Sequence, residues 1–155
     1  MSKNISIRNV FKVLSDQKTE RLFNTIIDFK SAESQILIVE LGLSKRQYYD
    51  RIRSLVEAGL IRRQKGRYEL SSFGKVIFSL NKIADKASRT YWKFDAIDKI
   101  KMSDRSHLAE LDYMKIIDVL LNDVELKEIF LHGDEYLVKS RLQDSITYGR
   151  YSYVT

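Results

Sequence analysis

At 155 residues and 18.2 kDa, the chain has the size of one compact domain or a small domain with an appendage. Hydrophobic residues at 44% supply a core, and with 31% charged residues they exclude both a disordered tail and a membrane protein. The 27 basic residues outnumber the 21 acidic ones by six. That excess points to a polyanionic partner only if it is concentrated rather than spread.

Two absences narrow the class. With no cysteine, disulfide scaffolds, thiolate zinc sites and cysteine nucleophiles are excluded. With no proline and only six glycines, little interrupts a helix, and a mainly α fold is predicted. Met1 to Ile5 lacks the apolar core of a signal peptide. The best apolar run, Ile36 to Leu43, is broken by Glu40 and falls well short of the ~18 residues of a membrane span. A soluble, cytoplasmic protein with no membrane partner is expected.

In chain order, Ile7, Val10, Phe11 and Leu14 recur at helical spacing. Asp16 is a plausible N-cap for a second helix with Glu20 in its opening turn and Leu22, Phe23, Ile26, Ile27 and Phe29 on its apolar face. Ser34 offers a cap for a third helix carrying Ile36, Leu37, Val39 and Leu41, which stops at Gly42. Ser44 then caps a helix from Lys45 to about Ala58, with Gly59 as its stop signal. From Leu60 to Leu70, two short strand-like pieces flank a turn at Lys65-Gly66, which reads as a hairpin. Ser71 and Ser72 precede a helix with Val76, Ile77, Leu80 and Ile83 on its apolar side.

Beyond residue 85 the pattern is looser. Tyr91-Trp92-Lys93-Phe94 suits helix or strand. A helix from about His107 to Leu121 is marked by Leu108, Leu111, Met114, Ile117, Leu120 and Leu121. Asn122-Asp123 breaks it and caps a short helix holding Val124, Leu126, Ile129 and Phe130. The polar, tyrosine-rich tail after His132, with Tyr148, Tyr151 and Tyr153, has no clear element and suits a swapped arm, a strand or disorder.

A helix, a tight turn at glycine, a second helix and a small hairpin together describe a winged helix-turn-helix. Residues 39–61 resemble the core of the ArsR-like (arsenical-repressor-like) winged-helix regulators. The matching features are the Leu43-Ser44 entry, the apolar positions Tyr48, Ile52 and Leu55, the Glu57-Ala58-Gly59-Leu60 exit and the basic hairpin. Phe11 to Asp16 looks like the family's entry to its second helix, and Leu70 to Gly74 resembles the wing exit of archaeal-type members. The resemblance covers roughly residues 5–85. It implies a dimeric transcriptional regulator that binds double-stranded DNA.

Helical geometry supports the same reading. At ~100° per residue, Tyr48, Ile52 and Leu55 fall within roughly one 60° sector and pack inward. The opposite side presents Arg46, Asp50 and Arg53, flanked by Gln47 and Tyr49, with Lys45 at the start. Lys45, Arg46, Gln47, Tyr49 and Arg53 are therefore expected to face the major groove, with Asp50 placed to orient Arg46 or Arg53 or to accept from a cytosine. Arg51, Arg62, Arg63, Lys65 and Arg67 are expected on the phosphate backbone or in the minor groove. Residues 44–67 hold eight basic and two acidic residues, a net +6. Residues 1–80 carry +7 and residues 81–155 carry −1, so the excess is concentrated in the first half.

Other chemistries find little support. His107 and Glu110 sit one helical turn apart with Asp112 nearby, but the arsenic sensors' cysteine motif is missing, and no metal or other cofactor is expected. His132 beside Gly133 reads as a helix C-terminal residue. No phosphate-cradling loop, nucleophile elbow or histidine-centred triad is present, so no enzymatic activity is expected. The expected organisation is a winged helix over 1–85 and a helical extension over 86–155. The extension would serve dimerisation through Leu108 to Leu121, or an effector pocket lined by Tyr91, Trp92 and Phe94. The main alternative is a winged-helix adaptor for protein–protein contacts in a transcription or other assembly. RNA binding is a third reading, weakened by the lack of an evident aromatic platform for single strands.

Overall fold

A computed structural model describes residues 4–28, 34–103 and 110–133. They form a mainly helical chain with one two-stranded antiparallel hairpin among the described residues. In order these are α1 (Ile7–Leu14), α2 (Gln17–Asp28), α3 (Ser34–Glu40), α4 (Lys45–Glu57), β1 (Ile61–Gln64), β2 (Arg67–Leu70) and α5 (Ser72–Arg89). Then come α6 (Tyr91–Met102), α7 (Glu110–Leu120) and a further helix, α8, over 124–133. The chain divides into two compact units, Met1–Lys82 and Ile83–Thr155. The expected positions Phe29, His107 and Leu108, and the tail with Tyr148, Tyr151 and Tyr153, lie outside the described residues.

In the first unit each element begins and ends where local chemistry dictates. Asp16 Oδ2 accepts from the Thr19 backbone N–H at 2.9 Å and from its hydroxyl at 2.6 Å, opening α2. The ends of α3 and α4 are closed by the same pair of reversed hydrogen bonds. Leu43 N donates to Ile38 O and Gly42 N to Val39 O, while Leu60 N donates to Leu55 O and Gly59 N to Val56 O. These closures aim α3 into α4 and α4 into β1. The hairpin turns through Lys65 (φ 48°) and Gly66 (φ 80°), the two left-handed residues of a type I′ turn. Its register pairs Ile61 with Leu70, Arg62 with Glu69, Arg63 with Tyr68 and Gln64 with Arg67.

One core fills this unit. Val10, Leu22, Phe23, Tyr48, Leu55 and Leu60 are fully buried, and Phe78 packs on it with its ring edge toward Phe23 at 6.3 Å. Three expected apolar faces are rotated from their predicted settings. On α1, Val10 and Leu14 are buried, whereas Ile7 and Phe11 are exposed. On α3, Ile38 is buried with Leu37, and Ile36 and Val39 face solvent. On α5, Gly74 and Ile77 are buried, and Val76 and Leu80 are exposed.

The cause is clearest for α5. Ser71 Oγ accepts from Gly74 N–H at 2.8 Å and itself donates to Gly59 O at 2.6 Å. This tie draws the start of α5 against the end of α4. A Cβ built on Gly74 would lie 1.9 Å from Leu60 O, so only glycine permits the approach. With Gly74 fixed inward, Ile77 and Phe78 follow it, and Val76 and Leu80 turn out.

The second unit has its own small core of Ile97, Ile117 and Leu121, with Phe94, Tyr113 and Phe130 packed on it. Tyr91 to Phe94 is helical, and Tyr91 and Trp92 are exposed. Only Phe94 of that cluster turns inward, 6.3 Å from the Phe130 ring. Asp123 caps α8 as expected, accepting from Leu126 N–H at 3.0 Å, and Lys86 pairs with it at 2.8 Å. Leu126 is buried, while Val124 and Ile129 stay exposed. His132 Nδ1 lies 2.8 Å from Glu128 O, one turn back in α8.

Candidate nucleic-acid interface

The orientation of α4 is set by its buried face. Tyr48, Ile52 and Leu55 are 0%, 3% and 0% exposed, matching the predicted inward sector. Tyr48 is anchored further by its hydroxyl, which donates to Ser34 Oγ at 3.1 Å, and burial pushes its phenol pKa up. With that face inside, Lys45, Arg46, Tyr49, Asp50 and Arg53 are exposed on the other. Tyr49 stands edge-on to the Tyr48 ring at 5.2 Å, which limits its freedom.

The ten residues expected to contact DNA separate into groups. Arg46 is 92% exposed and reaches Asp50 only at 3.9 Å, so Asp50 neither holds nor neutralises it firmly. Lys45, Arg53, Arg63, Lys65 and Arg67 are exposed and have no carboxylate partner among the described residues. Tyr49 is exposed beside them. These seven are brought to the solvent faces of α4 and the hairpin.

Three others are already engaged within the unit. Gln47 closes a capping box: Ser44 N–H donates to its Oε1 at 3.0 Å, and its own N–H donates to Ser44 Oγ at 3.2 Å. Arg51 is only 20% exposed. Its Nε pairs with Asp16 Oδ2 at 3.2 Å, and Nη1 donates to Gln47 O at 3.1 Å. Arg62 grips its cross-strand neighbour Glu69 through Nε at 3.0 Å and Nη2 at 2.9 Å, both on Oε1. Asp16 thus serves two helices, capping α2 and holding α4. The hydrogen bonds from Thr19, and then the charge of Arg51, keep its carboxyl below the ordinary range.

Sequence reasoning missed Asp16 and Glu69 as partners and Gln47 as a cap. Two of the three had a signal. Ser44 and Gln47 have capping-box spacing. Counting outward from a two-residue turn at Lys65-Gly66 places Glu69 opposite Arg62. Among the described residues, no group of three or more His, Cys, Asp or Glu is placed to hold a metal ion, and no helix is long and apolar enough to cross a membrane. His107 lies outside the described residues.

No family model matches the chain, and neither a curated protein nor a solved structure matches it significantly.

Proposed function

We propose that the chain binds double-stranded DNA in a sequence-dependent way as a cytoplasmic, ArsR-like transcriptional regulator that acts without catalysis. The observation that carries this reading is the division of α4. One face is locked into the core by Tyr48, Ile52 and Leu55, while Lys45, Arg46 and Arg53 on the opposite face and Arg63, Lys65 and Arg67 on the hairpin lack firm carboxylate partners among the described residues. A solvated helix would normally mix its charges or pair them. Arg46, Arg53, Lys45 and Tyr49 enter the major groove, where arginine reads guanine edges in a planar, bidentate fashion. Arg63, Lys65 and Arg67 lie along the phosphate backbone or in the minor groove.

The regulator works as a homodimer in this reading. On α7, Ile117 and the adjoining Leu121 are buried in the second unit's core, while Leu111 and Val119 are 76% and 78% exposed. Leu111 and Val119 share that side of α7 with Asp112, Lys115 and Asp118, so the homodimer rests on the resemblance to dimeric winged-helix regulators and not on an apolar face. Two recognition helices would then lie about one DNA turn apart, roughly 34–36 Å.

Selection of bound sequences from a random duplex pool, with molecular mass measured in parallel, tests the proposal. A palindromic winner and a dimer are expected. Recovery of no preferred duplex, with capture of acidic protein instead, would replace it with the adaptor reading.

A further inference from the structure

Behind the hairpin, within the first unit, α2, β1–β2 and α5 enclose a groove of about 400 Å³. That volume falls in the ~300–1,000 Å³ range of small-molecule sites. Ile26, Ile27, Leu70 and Phe78 supply apolar walls, and Arg62, Glu69 and Lys75 supply charge. Two cations against one carboxylate favour an anion. Lys75 has no carboxylate partner among the described residues, and Arg62 holds Glu69 by one oxygen only.

We propose that this groove binds a small carboxylic acid with a hydrocarbon body. Glu69 shows what the polar end accepts, because a carboxylate already sits on the Arg62 guanidinium. A ligand carboxylate takes its place between Arg62 and Lys75, matching the planar fork with both oxygens where Glu69 offers one. The exchange costs little, since Arg62 and Glu69 are 61% and 41% exposed and such pairs are weak. The hydrocarbon covers the half-buried sides of Ile27, Leu70 and Phe78 and removes their apolar surface from water. A cationic or neutral polar ligand would leave Glu69 on Arg62 and give Lys75 no counter-charge. Occupancy also breaks the Arg62–Glu69 tie across the hairpin, so the wing senses the ligand.

The assignment rests on the groove and not on what the basic face binds, and its test contains no DNA. The full chain, with isoleucine and leucine methyl groups labelled, is titrated with benzoate and octanoate and with their neutral counterparts, benzyl alcohol and octanol. Saturable shifts at Ile26, Ile27 and Leu70 with an acid are expected, and the stronger acid identifies an aromatic or aliphatic body. Lys75→Gln, at an exposed position, should weaken that acid at least fivefold. Glu69→Gln, which removes the competing carboxylate, should not weaken it, and neither should Val76→Ser outside the groove. Equal binding of acid and alcohol, shifts at exposed Ile7 instead, or no saturable shift with either acid would overturn the proposal.

Discussion

Arg51 Nε lies 3.2 Å from Asp16 Oδ2, so a cation at the margin of the buried face of α4 is tied to the residue that caps α2. The pair links α4 to the start of α2, beside the buried face that sets the orientation of α4. It also takes Arg51 out of the set available to a polyanion, and the two classes of arginine on α4 are separable by experiment.

Arg51→Ala removes the ion pair and the bond to Gln47 O, and should lower stability by about 1–2 kcal/mol. Arg53→Ala removes no hydrogen bond or ion pair among the described residues and should stay within about 0.5 kcal/mol of the parent. Duplex affinity should respond in the opposite order, with Arg53→Ala losing about 1–3 kcal/mol on the preferred site. Denaturant midpoints and binding titrations on the same samples check the crossing. Equal affinity losses from the two variants would reject the division.

Acid stability carries the signature of Asp16. Its folded pKa is lowered, chiefly by the Thr19 hydroxyl, so its contribution is complete above the unfolded pKa of about 3.9. It is lost as pH falls through the lower folded value. Asp16→Asn keeps an oxygen for the α2 cap but has no charge to lose. The parent should therefore surrender more stability than the variant between pH 5 and pH 2, as read from urea midpoints. Parallel curves would show that Asp16 is not coupled to folding.

Gly74→Ala sets propensity against packing. Alanine is favoured over glycine within a helix by about 1 kcal/mol. Here its Cβ would meet Leu60 O at 1.9 Å and Leu60 C at 2.9 Å, both backbone atoms that cannot swing away. The net result should be a loss of about 1–3 kcal/mol in thermal or denaturant unfolding. A stabilised variant would mean that α5 does not approach β1 this closely.

Lys65 occupies the first left-handed position of the hairpin turn, at φ 48°, where asparagine is more at ease. Lys65→Asn should raise stability by up to about 1 kcal/mol while weakening every duplex by a similar factor. A stabler variant with unchanged affinity would remove the wing tip from the interface.

Much of this was legible because the signals are local. The Asp16 start of α2, the Ser44 start of α4, the glycine ends of α3 and α4 and the Lys65-Gly66 turn each depend on a few adjacent residues. The helical wheel placed Tyr48, Ile52 and Leu55 inward, and it also set Arg51 only about 40° from Leu55, beside the buried sector. What that position did not reveal was the partner, because Asp16 is distant in sequence and meets α4 only after α1 and α2 have packed. The setting of α5 was hidden for the same reason. Val76 and Leu80 have helical spacing as good as Ile77, and the contact of Gly74 with Leu60 O decides which face turns in.

The salt dependence of duplex binding tests the central claim most directly. If a dimer neutralises about six phosphates through Arg63, Lys65 and Arg67 of each protomer, affinity should fall by about 10³ between 50 and 200 mM salt, and by more if Lys45 also reaches the backbone. An affinity that stays flat across that range would contradict the assignment of this face to DNA.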